Sequence, residues 1–183
     1  MKAMKEEQEV MEDVIAHTQP DPCVFKMPKL NQHKEIQDRW YSPPFYIDSG
    51  SYKMCIAVDA NGVVSGEGTH ISVFAYLMRG KNDDNLSWPF TGEVTFTLLN
   101  QLEDKNHHTI AVRFPEDVAS KANKRVVNSD KGGAGYGRPK FISHNQLGYD
   151  VEQNCQYLKD DCLYFRVAVE ASDPLKPWLT CTN

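Results

Sequence analysis

The spacing of apolar residues changes once along this chain. Met1, Met4, Gln8, Met11 and Ile15 fall at alternating steps of three and four, with Lys and Glu between them. That is the seam of a coiled-coil helix, and it predicts the end of a stalk over residues 1–18. Pro20 and Pro22 close it, because proline lacks the amide donor and restricts the residue before it. From Cys23 the period is two. Tyr52, Met54, Ile56 and Val58 alternate with Lys53, Cys55, Ala57 and Asp59, as a strand with one face on a core requires. Ile71, Val73, Ala75 and Leu77 repeat the pattern, as do Val94, Phe96 and Leu98, and then Leu163, Phe165, Val167 and Val169.

Shorter strands are predicted at Val24 to Met27, Trp40 to Ile47, His108 to Phe114 and Lys140 to Ser143. Turn residues punctuate the chain at Asp48 to Gly50, Asn61 to Gly68 and Gly80 to Asn85. About eight short strands and no long helix predict an all-β, antiparallel sandwich. Asp117 to Tyr136 has no period and ends in GGAGYG, so it reads as a long surface connection. The organisation expected is a stalk over 1–18, a sandwich over 19–178 and a tail over 179–183.

With 183 residues, one domain of ordinary size accounts for the chain. The formal charge of −5, without a Lys/Arg stripe, argues against nucleic acid and anionic membrane as partners. No apolar run approaches the roughly 20 residues that span a bilayer, and MKAMKEEQEV lacks the centre of a signal peptide. A cytoplasmic protein without membrane insertion is the expectation. Cys23, Cys55, Cys155, Cys162 and Cys181 are odd in number and contain no CxxC pair, which suits a reducing compartment better than a disulfide framework or a zinc site. Cys155 and Cys162 remain open between a bridge and two ordinary thiols.

Candidate chemistry is sparse. GGAGYG lacks the Lys and Ser/Thr of a phosphate-binding loop, and Gly66 and Gly68 miss the dinucleotide spacing; both segments read as backbone turns. Asp59, Asn61 and Gly62 do not continue into a calcium loop, since Val63 replaces an oxygen ligand. His107 and His108 near Glu103 and Asp104 are the one cluster from which a hydrolase could be built, but neighbouring strand residues point to opposite faces. A solvated hairpin tip fits them better. His70, His144, Asp160 and Asp161 read as hydrogen-bonding and capping groups. No enzyme, no metal and no cofactor is expected.

The blocks WYSPPFY, YKMC, ANG, GEGTH, WPF and YLKDDCLYFRVAVE, in this order between Trp40 and Glu170, resemble the C-terminal (TRAF-C or MATH) domain of the TNF receptor-associated factors. The resemblance runs from about Cys23 to Trp178. It implies a β-sandwich that reads short extended peptides of receptor tails or signalling proteins by strand addition, behind a coiled coil that joins three chains through positions such as Met4, Met11 and Ile15. It places Phe74 and Phe114 on the apolar part of the groove, although each reads equally as a core residue, and Gly137 where a backbone edge accepts the peptide.

The same resemblance puts Ala57, Asp59 and Val63 where receptor-binding members carry Arg, Tyr and Asp. Of three serines it leaves only Ser120, between Ala119 and Lys121. The implied ligand preference is therefore altered, with Asp59 expected to favour basic ligand residues and a bulky side chain at 137 expected to block binding without harming the fold. A signalling adaptor, with a homotrimer raising avidity, is the leading reading. A degron-recruiting MATH domain of a ubiquitin-ligase adaptor is the second, and a hydrolase at His107 and His108 the third.

Overall fold

The computed structural model describes residues 23–117, 120–127 and 134–172. The proposed seam of Met4, Met11 and Ile15 and the tail over 179–183 lie outside the described residues. Among the described residues nine strands form two antiparallel sheets: β1 (Cys23–Met27), β2 (Arg39–Tyr41), β3 (Phe45–Tyr46), β4 (Lys53–Asp59), β5 (His70–Met78), β6 (Gly92–Leu98), β7 (His108–Arg113), β8 (Tyr136–Ser143) and β9 (Leu163–Ala171). One sheet has the order β1-β9-β6-β7, and the other β2-β4-β5-β8 with β3 also paired to β4. No helix among the described residues is long and apolar enough to cross a membrane.

Period two places the inner faces as predicted, but β4 is buried on both faces rather than one, because Cys55, Ala57, Tyr76 and Met78 form a second buried cluster on the outer side. Met54, Ile56, Val58, Ile71, Val73, Ala75 and Leu77 from one sheet face Val94, Phe96, Leu98, Leu163, Phe165 and Val167 from the other, and all belong to one buried cluster. Each large member contributes about 1.5–3 kcal/mol of burial, an upper bound because an unfolded chain already hides part of this area. Phe90 closes one end of the cluster, with its ring 5.0 Å from both Tyr52 and Phe114.

Three local features depart from the sequence pattern. The single strand expected over Trp40 to Ile47 is broken into β2 and β3 by Pro43 and Pro44, which cannot donate to a ladder. Ser42 keeps the register across the break: its N–H donates to the Ile56 carbonyl at 2.9 Å, and its Oγ accepts from the Ile56 N–H at 3.0 Å. A short helix, α1 (Leu30–Ile36), lies where none was expected. Its N-cap is Lys29 in a left-handed conformation with no side-chain cap. The missing acceptors come from the far end of the chain: Asp161 takes the Leu30 N–H on its carbonyl at 3.1 Å and the Asn31 N–H on Oδ1 at 2.9 Å. Finally, β8 begins at Tyr136 rather than Lys140, so the last residues of GGAGYG are sheet and not loop.

Candidate functional site

Each sheet ends in an edge strand, and two of these edges run side by side. At one end of the seam between β7 and β8 the His108 ring stands 4.9 Å from Phe141, and its Nε2 is 2.7 Å from the Phe141 carbonyl oxygen. Past the other end, just beyond β7, the Phe114 ring lies 5.2 Å from Tyr136. On its inner side β8 is paired with β5; among the described residues no strand pairs with its outer edge. An edge strand presents a row of backbone donors and acceptors to any extended chain that approaches it.

The register builds a row of side chains leading to this edge. Tyr41 lies opposite Ala57, Ala57 opposite Phe74, and Phe74 opposite Gly137. Ala57 is fully buried and Phe74 half-buried, so the row has a small residue on each side of an aromatic ring. Next to it, Arg39 faces Asp59 and Asp59 faces Ser72. Arg39 Nε and an Nη donate to the two oxygens of Asp59 at 2.9 and 2.8 Å. The other Nη donates to the Tyr76 hydroxyl. The guanidinium carbon lies 5.5 Å from the centre of the Phe74 ring and 5.9 Å from that of Tyr76, while Tyr41 meets Tyr76 edge-on at 6.0 Å. Hydrogen bonding to Asp59 is the largest influence on Arg39 and raises its pKa further, so the cation is permanent.

Of the residues singled out from sequence, Ala57, Phe74 and Gly137 are brought together in one row and Asp59 stands beside it. Val63 sits beyond, bordering with Asp59, Asp38 and Val64 a cleft of about 280 Å³; its N–H donates to Ser72 Oγ at 2.9 Å. Phe114 takes its core reading, being 1% exposed and set edge-to-face against Phe90. Ser120 is engaged within its own loop, where its N–H donates to the Asp117 carbonyl and its Oγ accepts from the Ala122 N–H. Asp59 is not an open anion, because both its oxygens are taken by Arg39. Arg39 itself was missed: the sequence signal was its alternation with Tyr41 around Trp40, one residue before the expected strand start.

Gly137 also bears on the fold, so a bulky side chain there would not spare the sheet as expected. A Cβ on this residue would overlap the Val73 carbonyl oxygen and stand 2.6 Å from the Phe74 Cα. The glycine is thus required by the pairing of β8 with β5. Gly135 is crowded instead by a side chain, since its Cβ would lie 2.5 Å from the Tyr76 Cε2 and 2.6 Å from its Cζ. Between β8 and β5 the ladder slips at Ser72, and the Ser72 hydroxyl fills the gap by donating to the Pro139 carbonyl at 2.6 Å.

The histidine pair has structural partners. His107 accepts the Asn100 N–H on Nδ1 and reaches Asp104 with Nε2, each at 3.0 Å. His144 bridges the Ala60 carbonyl and Lys34, and His70 meets Thr69. Cys155 and Cys162 are unbridged thiols. Among the described residues no group of three or more His, Cys, Asp or Glu side chains converges.

Comparison with known proteins gives a consistent picture. Residues 37–166 match the model of the TRAF/meprin MATH domain family. The chain is similar to TNF receptor-associated factor 5 of Mus musculus, at 39% identity over 133 residues, covering 73% of this chain and 23% of that protein. It is similar to human TNF receptor-associated factor 2 at 35% identity over 130 residues, covering 71% and 24% respectively. The match therefore spans about a quarter of the length of these curated relatives. Among solved structures, TRAF5 of Notothenia coriiceps superimposes with a TM-score of 0.77 at 28% identity, over 92% of this chain and 82% of that one.

Proposed function

Because the chain belongs to the TRAF/meprin MATH family, we propose that it is a non-enzymatic adaptor domain that binds short extended peptides by adding them as a strand to the edge of β8. The outer edge of β8, unpaired among the described residues and lying beside the Tyr41–Ala57–Phe74–Gly137 row, is the observation that supports this reading. Main-chain bonds to such an edge give affinity that tolerates sequence, and the row beside it gives a surface on which side chains discriminate.

The relatives are named for association with TNF receptors, so cytoplasmic-tail peptides of that receptor class are the first ligands to test, with signalling-protein peptides second. A cytoplasmic setting goes with such ligands. The heptad spacing of Met4, Met11 and Ile15 supports a homotrimer, in which three weak grooves gain avidity toward clustered tails.

The test is titration of tail peptides into the labelled domain, followed by amide NMR. Shifts concentrated on residues 136–143 and on Phe74 are expected. Shifts confined to the outer face of the β1-β9-β6-β7 sheet would refute the proposal.

A further inference from the structure

Arg39 and Asp59 are register partners on the outer face of the β2-β4-β5-β8 sheet, one row from Phe74. Their bond is bidentate, at 2.9 and 2.8 Å, with the side chains 29% and 11% exposed. At this separation a cation and an anion present a dipole, whose field falls off faster than that of either charge alone. A ligand strand added to β8 lies two strand spacings from β5, about 9.6 Å, and a side chain that crosses Gly137 to reach Phe74 meets a platform close to neutral. For a ligand carboxylate to bind Arg39 bidentately it would have to displace Asp59, stranding a nearly buried anion, and a ligand ammonium would have to displace Arg39 from Asp59. Neither exchange gains a net charge contact.

The platform has a distinct shape as well as a distinct charge. The guanidinium plane is held by three hydrogen bonds, to Asp59 twice and to Tyr76 once, and it lies against the rings of Phe74 and Tyr76. Ala57 and Gly137, its register neighbours, put no long side chain beside Phe74 along the row. A flat group can therefore rest against this surface, an aromatic ring on the guanidinium face or a carboxamide toward its remaining N–H donors.

We infer that the ligand position resting on Phe74 takes an uncharged planar side chain, aromatic or carboxamide, and that Arg39 and Asp59 set this selectivity by cancelling each other's charge. The inference rests on strand addition at β8. Its corollary is latent charge selectivity: removing either partner exposes the other.

The experiment selects a displayed library of extended peptides on the full chain and on three variants. Against the unmodified protein, Phe, Tyr, Trp, Asn or Gln are expected at the position whose side chain shows cross-relaxation with the Phe74 ring. Asp, Glu, Lys and Arg are depleted there, and affinity changes little with salt. Asp59→Asn frees the guanidinium, so acidic residues at that position gain about tenfold or more. Arg39→Gln gives basic residues the same advantage, and the double variant keeps the neutral preference. If a single variant fails to fold, the salt dependence of the unmodified protein and the double variant decide the matter.

A charged residue selected over Phe74 by the unmodified protein, or single variants with unchanged profiles, would overturn the charge-pair inference while leaving β8 docking intact. Selected peptides that leave the amide signals of residues 136–143 unmoved, or a library from which nothing binds, would instead overturn the strand-addition reading and this inference with it.

Discussion

Replacing Gly137 by alanine tests whether this glycine serves the ligand or the sheet. The added methyl would overlap the Val73 carbonyl oxygen and stand 2.6 Å from the Phe74 Cα. Both obstacles are backbone of the neighbouring strand, so no rotamer change relieves them and β8 must move away from β5. Overpacking of this kind costs about 1–3 kcal/mol, and a rigid obstacle places Gly137→Ala at the upper end, about 3 kcal/mol. For a chain of this size that corresponds to a fall in Tm of about 6–12 °C, at roughly 2–4 °C per kcal/mol. Gly148→Ala is the control: a Cβ there meets nothing within 4 Å, so its effect should stay within about 0.5 kcal/mol. Urea and thermal unfolding of both variants, followed by circular dichroism, make the comparison. A Gly137→Ala protein as stable as the control would show that the residue is not required by β-pairing, and would restore the expectation that a larger side chain at 137 acts on the ligand alone.

Three further outcomes follow from other parts of the molecule. Asp83 is 2% exposed and its Oδ1 has no partner among the described residues, while its Oδ2 accepts the Gly80 N–H at 3.0 Å; burial, the largest influence, raises its pKa. A carboxyl whose pKa rises on folding gives its full stability below the unfolded pKa and loses it as pH climbs through the folded value, so Asp83→Asn should be more stable than the parent at neutral pH, with the difference vanishing in acid; equal stability in urea titrations at neutral pH would refute this. Asp161→Ala removes the acceptor for the Asn31 N–H and should cost about 1 kcal/mol, with hydrogen exchange accelerated at Asn31 and in the turns that follow. Met11→Lys should convert a concentration-dependent trimer to monomer in sedimentation, and a strict monomer before the change, identical with and without residues 1–18, would refute the stalk.

The sandwich was legible because burial on one face of a strand writes itself into alternate residues, and every inner-face position from Met54 to Leu77 obeys that rule. The helix at Leu30–Ile36 was not legible, since its cap comes from Asp161, 130 residues away, and nothing local marks its start. The break at Pro43 and Pro44 was visible as residues but not as consequence, because the compensating bonds run through the Ser42 side chain to Ile56. At the candidate site, Phe74 and Gly137 were found through their blocks, and the structure pairs them. Whether Phe114 faced core or surface depended on the Phe90 and Tyr136 rings, which one-dimensional periodicity does not position. Arg39 escaped notice for the same reason: its importance arises only from lying across from Asp59 in a register that sequence alone does not set.

The pairing of β1 with β9 has a mechanical consequence. Cys23 lies opposite Val167 and Met27 opposite Leu163, so the chain enters β1 at the same end of the sheet from which β9 runs on to Ala171. A load pulling the segment before Cys23 away from the end of β9 would fall on one pair of residues at a time and peel the edge strand like a zipper. It would not strain all five pairs at once, as shear would. The domain thus yields first at β1 when loaded this way, while β5 and β8, in the other sheet, stay outside the path of the tear.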